Sequence, residues 1–540
     1  MSLKNRIFLL IFLCLSTLVF WVCRLVGDPL HFPAQTALRI ECAREILQSY
    51  DTHRLYINTL IPDQPGAIYL QCLIQAPLMW LSNWWNITLA NVLINWCLFV
   101  ASLTALTFLC LSLNKDYEKE QPQYALPLAM ALLGLGSVYC VGQSEYFLLL
   151  ALLPYTVSRQ QIMLGRKPGL LDEGLAVALG LTTICEYLFI PIVFLVEIAL
   201  ILMHGRLARS SVFTTAVFTT VTANLAPLLI DWGSCTNFMH YVWPLIYADR
   251  AIPDIRTFGI TSSPDSHLLF YFISATTIVA LCFKRRSQYD LTGIWLMLAW
   301  CSFTYCLAEL RGFDYQMLPV WWLTTMAAAS MIDRFAKCNL SQYKLVTPQA
   351  FYGLTFCLAS ASIIVQMAVL HEKASRAPAT MRSSYTKEAV DLIAYLQKNM
   401  LKCDKIIIFN DALAPSYPLI PAKGLINTSS AKWSFAPRIL KLRSRDDRWP
   451  KAQNADIAAF YRDRIARDIQ INRPKVICIT LCEDVEFYEH PKIKNLIDAD
   501  YDRVALGAYY SENASPREYA SFNSPFIIYR RRPEALDDKH

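Results

Sequence analysis

Long, nearly unbroken apolar runs fill the first 370 positions, and the pattern then changes to short alternating segments over 371–540. Several runs reach the roughly 20 residues that a helix needs to cross the hydrocarbon core. They predict spans over 7–26, 88–112, 123–141, 146–158, 169–185, 187–204, 211–230, 265–283, 290–307, 316–332 and 349–370. The expected fold is mainly α: a polytopic bundle of about eleven transmembrane helices over 1–370. One more apolar stretch, Ala67 to Leu81, holds Gln71, Gln75 and Pro77 and runs on to Trp84 and Trp85. It reads as a helix lying in the outer interface, where such aromatics gather.

The tail has a different period. Thr386 to Met400 places Val390, Ile393 and Leu396 at helical spacing, and Ile406 to Phe409 is a short apolar run of the kind a buried strand shows. The alternation returns with a helix over 456–468, a strand over 475–481, and strands near Val504 and over Phe526–Tyr529. These elements predict a C-terminal soluble α/β domain over 385–540, with parallel strands as one arrangement. Residues 410–450 are irregular and rich in Pro, Ser and Arg.

Positive charge sets the expected orientation, because Lys and Arg concentrate in cytoplasmic loops. With the N-terminus inside, the basic loops share one face. They hold Lys115 and Lys119, then Arg159, Arg166 and Lys167, then Arg206 and Arg209, then Lys284 to Arg286, and last Arg334, Lys337 and Lys344. The outer face receives the long first loop 27–87, then 142–145, a turn near Glu186, 231–264, 308–315 and everything after His371. Met1 to Arg6 leads into an apolar stretch as in a signal peptide. However, Arg24 stands where a cleavage site would fall, so a retained first helix is expected. The expected location is the inner membrane, with the N-terminus cytoplasmic and the C-terminal domain periplasmic.

The chain is 55% hydrophobic and 17% charged, against about a quarter charged in soluble proteins. Its net charge of +7 is modest and gives no nucleic-acid signal. The 17 cysteines lie singly, mostly in apolar helices, without zinc-ligand spacing or a Cys-x-x-Cys pair. No glycine-rich phosphate loop and no nucleophile elbow occurs.

Polar groups at the outer boundary are costly unless they do something, and they form three clusters. The first loop carries Asp28, Arg39, Glu41, Arg44, Glu45, Asp51 and Asp63, with an amphipathic helical pattern over 36–48 and Thr36 as its expected N-cap. The second cluster is Gly142-Gln143-Ser144-Glu145-Tyr146. Glu145 either complements a helix dipole or ligates a metal or a hydroxyl. The third is Glu309-Leu310-Arg311-Gly312-Phe313-Asp314-Tyr315. There Arg311 either pairs with a neighbouring acid or clasps a lipid phosphate in a bidentate way.

The order of these clusters resembles the GT-C superfamily of membrane glycosyltransferases, which use polyprenyl-phosphate sugars. Ala43-Arg44-Glu45-Ile46-Leu47 with Leu55-Tyr56 and Asp63-Gln64-Pro65-Gly66 is similar to the family's A-x-x-L-L…P-Y…N-P-P stretch. Gly142-Gln143-Ser144-Glu145 with Leu149 to Tyr155 is similar to a bacterial G-Q-x-E-x…L-P-Y pattern, and Arg311 to Tyr315 followed by Pro319 resembles K-G-x-x-Y…P. The resemblance covers about the first 330 residues. It implies a sugar transferred from a polyprenyl-phosphate donor to a glycan or lipid acceptor of the cell envelope. The family's paired acids fall at Gln35-Thr36, so Glu41 or Asp28 takes the place of the base. Glu145 then orients the acceptor or holds a divalent cation, and Arg311 meets the phosphate, with Asp314, Tyr315, Asp63 and Gln143 lining the substrate site. Two rival expectations are a transporter or flippase of envelope precursors, with Glu197 as its one deep acid, and a non-catalytic envelope assembly protein. Membrane lipids are partners in every case.

Overall fold

The computed structural model describes residues 3–26, 32–49, 56, 60–61, 63–112, 125–186, 189–205, 210–251, 264–282, 291–309, 314–338, 395–396, 398–409, 416–432, 436–480, 485–504 and 526–533. The helices in the first part are α1 (Leu3–Trp21), α2 (Ala34–Ser49), α3 (Pro65–Gln75), α4 (Trp84–Ser112), α5 (Ala125–Gly136), α6 (Ser144–Met163) and α7 (Leu170–Thr182). Next come α8 (Ile190–His204), α9 (Ser211–Ile230), α10 (Trp232–Asn237), α11 (Trp243–Ala251), α12 (Pro264–Cys282), α13 (Thr292–Glu309) and α14 (Asp314–Cys338). The tail adds β1 (Lys405–Phe409), α15 (Ser416–Ala422), β2 (Ile426–Asn427), α16 (Ala436–Ser444), α17 (Lys451–Asn472) and β3 (Val476–Thr480). It ends with α18 (Val485–Tyr488), α19 (Pro491–Asp500), β4 (Tyr501–Val504) and β5 (Phe526–Arg531).

Each predicted span from the first to the tenth overlaps a helix; the eleventh, 349–370, lies outside the described residues. Among the described residues three helices are long and apolar enough to cross a membrane: Ile7–Val26, Trp84–Leu111 and Ser211–Ile230. They mark the chain as a membrane protein. Others are apolar but shorter, such as Ala125–Gly136 and Ile190–His204, or carry charge inside the helix, as α6 does with Glu145 and Arg159.

The chain forms two compact units. One comprises Met1–Asp28, Thr88–Pro227 and Pro253–Ala368, the other Pro29–Ile87, Leu228–Ile252 and Val369–His540. The first loop and the segment after α9 share a unit with the tail.

In the first unit, Trp21 donates its Nε1 hydrogen to Gly134 O at 3.1 Å and packs edge-on against Tyr146. A β-carbon at Gly134 would lie 2.4 Å from the Phe99 ring, and one at Gly180 would lie 2.6 Å from Thr219 Cβ. Small residues let these helices approach closely, as membrane bundles require. Arg159, assigned by sequence to a basic loop, is instead buried within α6, which runs on to Met163. Its Nε and Nη2 donate to Glu197 Oε1 and Oε2, each at 2.6 Å, and its Nη1 donates to Ser210 at 3.0 Å. A guanidinium this deep needs the carboxylate, since an unpaired buried charge is far costlier than the pair. Asp172, also buried, takes Ser158 Oγ at 2.6 Å, the Gly169 amide at 2.7 Å and the Arg166 guanidinium. It holds the start of α7.

The second unit contains a five-stranded sheet in the order β2-β1-β3-β5-β4. The β1 strand pairs in parallel with β2 and β3, whereas β5 runs antiparallel to both β3 and β4. The sheet is thus mixed, with the parallel arrangement limited to its first three strands. Ile406, Ile408, Val476, Cys478 and Ile528 form its core with Leu419 and Ile420 of α15.

Candidate functional site

Helix α2 is buried nearly all round, through Thr36, Ala37, Leu38, Arg39, Ile40, Cys42, Ala43 and Ile46. It starts at Ala34, with Ala37 N donating to Pro33 O at 2.9 Å, so Thr36 lies inside the first turn rather than at the cap. The helix is therefore a core element and not a solvated amphipathic one. Arg39 Nη2 donates to Asp63 Oδ1 at 2.6 Å, and Gln35 Nε2 reaches the same oxygen at 2.9 Å. Buried Tyr56, in a left-handed backbone conformation at φ 59°, donates its hydroxyl to the Asp63 carbonyl. Asp63 leads into Gln64 and Pro65, the N-cap and first residue of α3, where proline is favoured. Its carboxylate is spent on joining α2 to α3. The Arg44 fork closes the far end by donating to the Leu78 and Leu81 carbonyls at 3.1 and 2.5 Å.

Glu41 faces the tail. Lys432 Nζ lies 3.6 Å from Glu41 Oε1 and 3.2 Å from Glu45 Oε2, with the Lys432 side chain 3% exposed, Glu41 20% and Glu45 45%. Lys432 also donates to Asn427 O at 2.6 Å, and Asn427 Nδ2 donates to the Tyr417 hydroxyl at 3.0 Å. The Tyr417 hydroxyl in turn engages Glu41. Burial pushes the Glu41 carboxyl up, Glu45 adds to the rise, and Lys432 and Tyr417 oppose it. Burial alone would lower Lys432, but the two glutamates outweigh it and hold the ammonium charged.

The segment that carries Lys432 follows β2 and is pinned along its length. Ser429 N donates to Asn427 Oδ1 at 3.0 Å, and Ser430 gives both its amide and its hydroxyl to Asp468 Oδ2 at 2.6 Å. Leu60 of the first loop donates to Ser430 O at 2.6 Å. Burial raises Asp468. Charges buried to this degree persist only when paired; here Lys432 faces both glutamates and Ser430 binds Asp468, while Glu41 Oε2 has no hydrogen-bond partner among the described residues.

Gln143 and Glu145 belong to the other unit. Gly142 turns at φ 79°, Gln143 is the N-cap of α6 and Glu145 sits in its first turn, where a negative charge suits the helix dipole. Gln143, Ser144 and Glu145 are all buried, and Gln143 Oε1 and Ser144 Oγ have no hydrogen-bond partner among the described residues. Tyr146 reaches the Asn95 carbonyl at 3.4 Å. Asn95, Asn91 and Thr88 lie on one face of α4 and are buried as well, so this end of the bundle is polar inside.

Glu41 and Asp63 thus share one unit, and Gln143 and Glu145 share the other. Asp28 and Arg311 lie outside the described residues, as do the side chains of Asp314 and Tyr315 at the start of α14. Among the described residues no group of three His, Cys, Asp or Glu could hold a metal ion. Sequence reasoning missed Lys432 and Tyr417. Both lie in or beside the stretch 410–450, which has no period to place them. No protein-family model and no curated protein matches the chain.

Proposed function

We propose that the chain is a GT-C-type glycosyltransferase of about eleven transmembrane helices, acting at the outer face of the inner membrane. It moves a sugar from a polyprenyl-phosphate donor to a glycan or lipid acceptor of the cell envelope. The observation that carries this reading is Glu41, a half-buried carboxyl group on the first-loop helix whose pKa burial pushes up. A raised carboxyl is a better proton acceptor for a hydroxyl near neutral pH. Glu41, with Asp28 as the other candidate, takes the acceptor proton. Glu145 orients the acceptor or holds a divalent cation, Gln143 lines the acceptor site, and Arg311, with Asp314 and Tyr315, meets the phosphate that leaves. The buried polar face of Thr88, Asn91 and Asn95 supports a site inside the bundle, because such groups in a membrane helix mark function. Three segments that charge places on the outer side, from the first loop, from 231–264 and from the tail, fall in one compact unit, which supports the proposed sidedness.

The test replaces Glu41, Asp28, Glu145 and Arg311 singly and follows one envelope glycan. Loss of the glycan with normal protein levels in Glu145→Gln and Glu41→Gln supports transfer; full glycan in all four variants overturns it. A second reading, a non-catalytic assembly protein, is favoured by the contact of Glu41 with Lys432, since a carboxylate held by a lysine also serves as a joint. In that case Glu41→Gln lowers stability and spares the glycan.

A further inference from the structure

We propose that the elbow between α16 and α17 is an anion site built for a phosphoryl group, separate from the transfer site. Arg443, in the last turn of α16, is completely buried. Its Nη2 donates to Gln453 Oε1 at 2.9 Å, whereas Nε and Nη1 are buried without a hydrogen-bond partner among the described residues. Among the described residues no carboxylate pairs with it. Trp449 covers the guanidinium, with Cζ 4.6 Å from the ring centre, and Tyr247 of α11 meets that indole edge-on at 5.7 Å. Asn454, at the start of α17, is 8% exposed, and neither of its amide atoms has a hydrogen-bond partner among the described residues.

These groups flank the start of a helix that is ready for an anion. The 22-residue α17 begins after Pro450, which supplies no side-chain cap, and its first turn holds no acid. A helix start attracts anions through its free amides and its dipole. A buried guanidinium without a counter-ion is among the least favourable arrangements in a fold, and an anion relieves it. Nearby charge selects the kind of anion. Over 436–451 there are six cations, Arg438, Lys441, Arg443, Arg445, Arg448 and Lys451, against Asp446 and Asp447. Asp446 is held by Arg448, whose Nε lies 3.0 and 2.9 Å from its two oxygens. This excess suits a phosphoryl anion, with its several charge-bearing oxygens, better than a carboxylate, and guanidinium with amide donors matches those oxygens. Trp449 lies over the cation, so the anion's entry moves the indole.

The test uses the full chain in nanodiscs. Melting temperature and tryptophan fluorescence are followed in zwitterionic lipid with added inorganic phosphate, and in discs containing phosphatidylglycerol without added phosphate. Acetate and chloride serve as controls. The proposal expects inorganic phosphate, the anionic lipid, or both to raise the melting temperature and shift the fluorescence. A response to inorganic phosphate alone identifies a soluble phosphate, and a response to the lipid discs identifies a headgroup. Arg443→Met should weaken binding by about tenfold or more without lowering the ligand-free melting temperature, because it removes an unpaired buried charge. Asn454→Leu should also weaken binding, and Trp449→Phe should lose the fluorescence shift. The proposal is overturned if neither phosphate source acts, if acetate acts as well as phosphate, or if Arg443→Met responds like the wild type. It is also overturned if Arg443→Met unfolds the protein and Asn454→Leu binds phosphate normally.

Discussion

Arg159 and Glu197 form a two-pronged ion pair inside the helical unit, each prong 2.6 Å long. Glu197, the one acid that a transporter reading would place deep in a span, is occupied by this arginine. Breaking the pair from one side strands a charge. Glu197→Gln and Arg159→Met are each expected to destabilise the protein by about 3–5 kcal/mol. The double variant Arg159→Met/Glu197→Leu should recover much of that loss. Denaturant or thermal unfolding of the purified protein measures all three, and a double variant no better than the singles would refute the buried-charge account.

If Glu41 is the base of the proposed transfer, it sets a pH limit on that activity. Its carboxyl sits above the ordinary 4.5 because of burial, with Glu45 adding to the rise and Lys432 opposing it. A base works ionised, so the acid limb of the rate profile should lie above pH 4.5. Glu45→Gln should shift that limb to lower pH and Lys432→Met to higher pH. For stability the sign is opposite. The raised group favours the fold fully below its unfolded value, and that contribution is lost as pH rises through the raised one. A limb that stays in place in both variants removes Glu41 as the base.

Asp63 is expected to behave as an anchor. Its carboxylate already holds Arg39 and Gln35, so Asp63→Asn should destabilise the chain by about 3 kcal/mol or more, the cost of stranding Arg39. Acceptor affinity, measured on the protein that remains folded, should be unchanged. A large rise in acceptor KM with normal stability would return Asp63 to the substrate site.

Gly180 tests the helix packing. A β-carbon there would meet Thr219 Cβ at 2.6 Å and the Thr220 amide nitrogen at 2.9 Å. Gly180→Ala should therefore cost about 1–3 kcal/mol, and Thr219→Ser in the same chain should restore little because the backbone contact stays. Unfolding curves of the two variants decide the point.

Cys403 reports sidedness. It is an exposed free cysteine in the unit that contains the tail. A membrane-impermeant maleimide added to spheroplasts should label it if the tail is periplasmic. Labelling only after lysis would reverse the topology and remove the proposed enzyme.

Much of the helical framework was legible because apolar runs announce themselves. The runs near 88–112 and 211–230 appear as α4 and α9 almost to the residue. Arg159 was misread because charge alone suggested a loop, whereas its partner Glu197 lies 38 positions away and only packing brings them together. The strand Ile406–Phe409 was legible from its apolar run, but the antiparallel placement of β5 was not, since strand direction depends on connections and carries no period. Glu41 was singled out through the first-loop pattern. Its partner Lys432 was not, because no local rule links a helix in the first loop to the turn after β2.

The second unit is assembled from three stretches of chain, 29–87, 228–252 and 369–540. Ribosomes deliver them in that order, and segments fold as they emerge. Glu41 and Glu45 are therefore made hundreds of residues before Lys432 exists. Until residues 416–422 have been made, the apolar surface of α2 that packs on α15 lacks its cover. The sheet of this half is complete only once β5 has been made, and a stop anywhere before Lys432 leaves the opening loop without its counterpart. Quality-control proteases would meet such a product as an unfinished one, however intact its membrane helices.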